Sequence, residues 1–161
     1  MTTSRVAFVD TYVLRRATGL EILALRRAAG GGRCPGSWET VHGTIEPGES
    51  PVDASIRELR EETGLTARRL YNVSRVESFY LHRTDEIALG PVFAAFVAPG
   101  DEPRVSSEHD QAEWLAPAEA AARFAWPRER RTVADLVVLF GGAQGEGGET
   151  GGSLEDVLRI C

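Results

Sequence analysis

Apolar residues gather in short runs along the first third of the chain, and polar or Gly-rich stretches separate them. Residues 5–14 (RVAFVDTYVL) and 20–25 (LEILAL) read as two strands, with Ala17-Thr18-Gly19 as the turn between them. Residues 30–36 (GGGRCPG) hold too much Gly and Pro for regular structure, and 38–43 (WETVHG) reads as a short strand ending at Gly43. Farther on, 70–83 and 86–98 carry Val, Phe, Tyr and Ile in strand-like runs that meet near Thr84-Asp85, and 112–115 (AEWL) is a further short strand. Helical patterns cover 51–63, 117–124 and about 127–140. Strands interleaved with a few helices predict an α/β fold, a mixed sheet with helices on its faces. Val133, Leu136, Val137 and Phe140 give the last helix an amphipathic face, suited to core packing or to a partner or homodimer contact.

The helix over 51–63 is specified at both ends. Ser50 is a natural N-cap, Pro51 fits the first helical position and Asp53 completes a capping-box-like spacing. Gly64 stands where a left-handed C-cap residue belongs. At about 100° per residue, Glu58, Glu61 and Glu62 share one face, while Val52, Ile56, Leu59 and Thr63 form another, apolar enough to be buried. Two such carboxylates about 6 Å apart repel by roughly 3 kcal/mol at an effective dielectric near 20, and by about 0.2–0.5 kcal/mol on a solvated helix. Stability does not favour the cluster. A hard divalent cation reverses the sign, because Mg²⁺ takes carboxylate oxygens while keeping waters and substrate phosphates in its octahedron.

Composition narrows the setting. Apolar residues make up 42% and charged residues 26% of 161, ordinary values for a globular chain of one-domain size. A net charge of −6 leaves no global basic field for nucleic acid, so none is expected as a partner. All 18 basic residues are Arg, which excludes Lys-based covalent chemistry. Cys34 and Cys161 make neither a disulfide framework nor a zinc motif, which points to reduced thiols in a cytoplasmic protein. Neither a signal-peptide pattern near the start nor any run of roughly 20 apolar residues is present, so no membrane association is expected. From Gly141 the composition shifts: seven of twelve residues over 141–152 are Gly, predicting a flexible tail over 141–161 whose last residues, 153–161, are capable of about two helical turns.

Around the carboxylate helix the sequence fits G-x5-E-x7-R-E-U-x-E-E-x-G-U at every fixed position, U being a bulky aliphatic: Gly43, Glu49, Arg57, Glu58, Leu59, Glu61, Glu62, Gly64 and Leu65. This is the Nudix box, and the chain resembles the Nudix hydrolases over residues 1–140. The resemblance implies an α/β/α sandwich in which residues 43–65 form a loop-helix-loop. It implies hydrolysis of a nucleoside diphosphate linked to another group, usually with Mg²⁺ (or Mn²⁺ in its place). Carried over by position, Glu58, Glu61 and Glu62 face the metal, with the backbone carbonyl of Gly43 as a further ligand. Arg57 and Glu49 support them, Arg57 orienting a catalytic carboxylate. Glu58 is the first choice of general base, and Glu62 shares the catalytic face.

Glu108 is the rival base and a further metal candidate, because 108–115 (EHDQAEWL) resembles the E-H-x-x-x-x-W-L stretch of several Nudix branches. In the same stretch His109 reads as structural and Trp114 as core. Arg26 and Arg27 close a strand where arginines meet substrate phosphates in related sequences, and alternation turns only one of them to the cleft. Trp38, Phe79, Tyr80, His82 and Arg83 are candidates for holding a base by stacking and cation–π contact. The single Gly before the box, the EHDQAEWL stretch and 124–128 (FAWPR) are similar to dATP or dihydroneopterin triphosphate pyrophosphatases. The expected reaction is cleavage of a nucleoside triphosphate or similar nucleotide to a monophosphate and pyrophosphate. Dinucleoside polyphosphates and nucleotide sugars are alternative substrates, and a non-catalytic nucleotide sensor is the alternative of another class.

Overall fold

A computed structural model describes residues 1–30, 32–142 and 157–161. Eight strands and three helices follow one another as β1 (Thr3–Val6), β2 (Phe8–Arg16), β3 (Leu20–Arg27), β4 (Trp38–Glu39), β5 (Val41–Thr44), α1 (Pro51–Thr63), β6 (Arg69–Leu81), β7 (Glu86–Phe96), β8 (His109–Leu115), α2 (Pro117–Arg123) and α3 (Pro127–Phe140). The described residues form the expected α/β fold, with one mixed sheet and three helices. β1 and β2 run parallel to β7, one after the other along the same side, and β6 lies antiparallel on its far side. β3 and β5 pair antiparallel with β2, and β4 and β8 with β3.

Strand alternation divides the core into two layers. Val9, Val13, Leu23, Leu25 and Phe93 pack with Ala54, Leu59 and Leu65 under α1. Tyr12, Leu14, Ile22, Ala24 and Tyr71 pack on the opposite face with Phe124, Val133, Leu136 and Phe140 of the α2–α3 region. The amphipathic face of α3 is thus largely core, although Val137 remains 43% exposed. Among the described residues no helix is long and apolar enough to cross a membrane.

Two expected strands are each divided by one residue that changes partner. Ala7 separates β1 from β2, donating its N–H to the Leu89 carbonyl and accepting from Ile45. Thr40 separates β4 from β5, its N–H donating to a Glu129 carboxylate oxygen and its hydroxyl to the Thr11 carbonyl. β8 begins at His109, three residues before the apolar run that announced it. Most of the Gly-rich tail, 143–156, lies outside the described residues. At its far end Val157 and Leu158 are helical, and Arg159 then bridges to Tyr71, with Ile160 N–H donating to the Leu70 carbonyl at 2.8 Å.

Candidate active site

α1 is built as its end signals require. The Ser50 hydroxyl oxygen accepts from the Asp53 N–H at 3.1 Å, and Gly64 adopts φ 69° while donating to the Arg60 carbonyl. One flank of the helix therefore lies across β5, and Gly43 makes the approach possible. A Cβ on Gly43 would stand 2.0 Å from Glu58 Cγ and 2.3 Å from Glu58 Oε1, so the Glu58 side chain occupies the space that glycine leaves.

The three box carboxylates meet three different environments. Glu61 is 58% exposed, Glu58 is 13% exposed, and Glu62 is buried. A solvated acidic face does not describe them. Burial raises the Glu62 carboxyl to about 9, and the charges of Glu58, Glu108 and Glu39 push the same way. Among the described residues its Oε2 has no hydrogen-bond partner. Burial also raises Glu58; Arg57 works against that shift, while Glu61 and Glu108 add to it.

Arg57 organises the face. Its Nε and Nη2 clamp the two oxygens of Glu49 at 2.8 and 2.9 Å, Nη1 reaches Glu58 at 2.8 Å and Glu61 at 3.3 Å, and Nη2 also donates to the Thr44 carbonyl. Hydrogen bonds from Arg57, with one from the Glu46 backbone, hold Glu49 down to about 2. Among the described residues no three acidic, His or Cys side chains are already converged as a metal cage. The donor set nonetheless fits a hard divalent cation: oxygen ligands only, an orphaned buried carboxylate oxygen, and mutual repulsion that a cation would relieve.

Beside this face runs a second network that the sequence did not announce. Arg27 donates to Glu39 at 2.7 Å and lies 3.6 Å from Glu108, which places the exposed Glu108 at the edge of the carboxylate cluster. His109 is buried, with Nε2 3.2 Å from Glu39 and Nδ1 3.9 Å from Glu62. Burial alone would raise Glu39, but hydrogen bonds from His109 and Arg27 outweigh it and hold the carboxyl below its ordinary value.

A cleft of about 210 Å³ is lined by Arg27, Glu39, His42 and Thr44 together with Phe8, Phe79, Trp126 and Arg128. Of the seven residues expected to meet substrate, Arg27 and Phe79 line it. Arg26 points to the other side of β3 and pairs with Asp110 at 2.7 Å. Trp38 lies under the Arg123 guanidinium. Strand alternation brings Phe79 to the cleft and turns Tyr80 away, its hydroxyl donating to Asp85. Arg83 and His82 are exposed in the β6–β7 turn, outside the cleft lining.

The cleft residues Arg5, Phe8, His42, Trp126 and Arg128 were not legible as a site, because they come from three strands, a loop and a helix far apart in the chain. A faint signal existed in Glu129, the acidic residue three positions after Trp126, which seats the start of α3 by accepting from the Trp126 and Thr40 N–H groups.

The family model described as the NUDIX domain matches residues 5–136. A Myxococcus xanthus protein named octanoyltransferase is 34% identical over 128 residues, 73% of this chain. The matched stretch is only 32% of that protein, so the chain spans about a third of this relative's length. An RNA pyrophosphohydrolase of Cereibacter sphaeroides is 25% identical over 120 residues, 65% of this chain and 74% of the relative. The solved dihydroneopterin triphosphate pyrophosphohydrolase of E. coli superposes with a TM-score of 0.67 at 22% identity, over 86% of this chain and 99% of that one. At that identity the likeness establishes the fold and leaves the branch open. With a complete box held in the geometry described and a family match over most of its length, the chain belongs to the Nudix hydrolase family.

Proposed function

We propose that this chain is a Mg²⁺-dependent pyrophosphohydrolase that cleaves the polyphosphate chain of a nucleoside triphosphate or related nucleotide, releasing a monophosphate and pyrophosphate. The observation that carries the reading is the seam between α1 and β5, where Glu58 fills the space over Gly43 beside the buried Glu62, whose Oε2 is unpartnered among the described residues. Glu58, Glu61 and Glu62 would hold the metal, with the Gly43 carbonyl and Glu108 as further ligands, and a cation held there would supply charge neutralisation for the phosphates and activation of water.

The chain's own residues do the rest. Glu58 takes the proton of the attacking water, with Glu108 as the alternative base. Arg57 fixes Glu58 by a charge-assisted hydrogen bond, and Glu49 fixes Arg57. Arg27, braced by Glu39, meets the phosphates at the edge of the carboxylate cluster. The dihydroneopterin triphosphate and dATP branches remain candidate specificities. Dinucleoside polyphosphates and the 5′ end of RNA carry the same kind of bond.

The test is phosphate and pyrophosphate release with Mg²⁺, then Mn²⁺. Substrates are the nucleoside triphosphates, dihydroneopterin triphosphate, a diadenosine polyphosphate, 5′-triphosphorylated RNA and ADP-ribose, with wild type set against Glu61→Gln. A preferred substrate whose turnover collapses in the variant supports the reading. Tight nucleotide binding without turnover would establish the sensor instead.

A further inference from the structure

The cleft also holds an arginine placed differently from the rest. Arg128 is half-buried at the start of α3, and its Nε donates to Asp10 at 3.0 Å. Asp10 is fully buried, and its other oxygen lies 2.6 Å from His42 Nδ1. Burial alone would raise the Asp10 carboxyl; His42 and Arg128 outweigh that effect and keep it below its ordinary value, so a charged anchor holds the guanidinium. The guanidinium carbon stands 5.3 Å from the Trp126 ring centroid. Among the described residues its two Nη groups have no hydrogen-bond partner.

Around it the cleft is aromatic. The His42 ring packs on Phe8 with centroids 5.1 Å apart, and the Phe8 ring in turn occupies the space over Gly90, where a Cβ would stand 2.1 Å from it. The carboxylates that would hold metal and polyphosphate lie on the other side of β5, toward α1, with Arg27 at their edge. An anchored guanidinium with two unused, parallel Nη–H groups beside flat apolar rings suits the edge of a planar ring system. Two adjacent acceptors on that edge, such as O6 and N7 of a 6-oxopurine, match the guanidinium fork, whereas adenine puts an amino donor in place of the oxygen.

We propose that Arg128, anchored by Asp10 and backed by Trp126, reads the base of the substrate and selects a ring that presents an oxo group next to a ring-nitrogen acceptor. The inference rests on the pyrophosphohydrolase reading for where the phosphates lie, and it names the class of base that the reading leaves open. A guanine or hypoxanthine nucleotide offers this edge through O6 and N7, and a pterin offers the same chemistry through O4 and N5.

The experiment is calorimetric binding, in Mg²⁺, of the α,β-methylene triphosphates of guanosine, inosine, 7-deazaguanosine and adenosine. Inorganic tripolyphosphate is the ligand without a base, and KM values for GTP and dihydroneopterin triphosphate separate the two sources of the edge. Wild type is expected to bind the guanosine and inosine compounds about 10- to 100-fold more tightly than the adenosine compound, with 7-deazaguanosine falling between. Arg128→Gln is expected to bring guanosine and adenosine within about twofold while leaving tripolyphosphate binding unchanged. Equal binding of all four nucleotides by wild type overturns the proposal, and so does an Arg128→Gln loss as large for tripolyphosphate as for the guanosine compound. The 7-deaza comparison needs no variant, so a misfolded Arg128→Gln leaves the question decidable. Base discrimination without hydrolysis would defeat the proposed function and keep this inference; hydrolysis without discrimination would do the reverse.

Discussion

Two arginines serve the candidate site from opposite sides of β5, and they are used in opposite ways. Arg57 is saturated: all three of its nitrogens donate, to three carboxylates and a carbonyl contributed by residues 44–61. Arg128 has one bonded nitrogen, facing an aspartate 118 positions away, and leaves its outer nitrogens to the cleft. A guanidinium whose donors are all taken by protein can only position its neighbours. One anchored through Nε alone can still recognise something else. The first belongs to machinery that can be shared by many substrates, and the second to the part that distinguishes among them.

Removing the proposed base separates chemistry from architecture most sharply. Glu58→Gln should lower kcat by about 10³-fold, within the usual range for loss of a general base, with little change in melting temperature. Steady-state kinetics on the preferred nucleotide together with a thermal melt check both halves. Retained turnover would transfer the role to Glu108.

Asp10→Asn tests the other arginine through stability. Its buried carboxylate has a folded pKa below its unfolded value, so it contributes stability that is fully present above about pH 4 and is lost as pH falls through the folded pKa. Asparagine at this position leaves Arg128 without its charged anchor and should cost about 3 kcal/mol at pH 7. In urea denaturation the deficit should persist down to about pH 4 and narrow only below it. A deficit that disappears already at pH 5.5, well above the range in which the Asp10 carboxyl is protonated, would show that it does not come from the Asp10 charge.

Gly43→Ala probes the seam itself. The new methyl would overlap Glu58, and a displacement of about 1 Å in a catalytic group costs on the order of 100-fold in rate. The expected result is lost kcat with a folded protein, read by kinetics alongside circular dichroism. Smallest is Ser50→Ala, which removes the N-cap acceptor of α1 and should cost about 1 kcal/mol in chemical denaturation without altering base preference.

The box helix was largely legible beforehand because a helix carries its own instructions. Ser50, Pro51 and Gly64 set its ends, and the helical period put Glu58, Glu61 and Glu62 together. Even there, burial was hidden: nothing in residues 43–65 announces that Glu62 is enclosed by Glu39 and His109, which approach from β4 and β8. Strand alternation foretold that only one of Arg26 and Arg27 would face the cleft, yet not which one. That choice depends on Glu39, on the neighbouring β4, pairing with Arg27 and on Asp110 being available to Arg26. Tyr80 and Phe79 show the same limit, since a one-residue difference in facing exchanges solvent for cleft.

The sequence by itself determined the box helix, its ends, its acidic face and the family, because those depend on contacts no more than about one helical turn apart or on a dense motif. Tertiary structure alone decided which carboxylate is buried, where Ala7 and Thr40 divide the strands, and that Asp10, His42, Phe8, Trp126 and Arg128 share a wall. Those outcomes are set by sheet register and by the docking of α3 on Thr40 through Glu129. Contacts between residues up to 118 positions apart leave no local period to read.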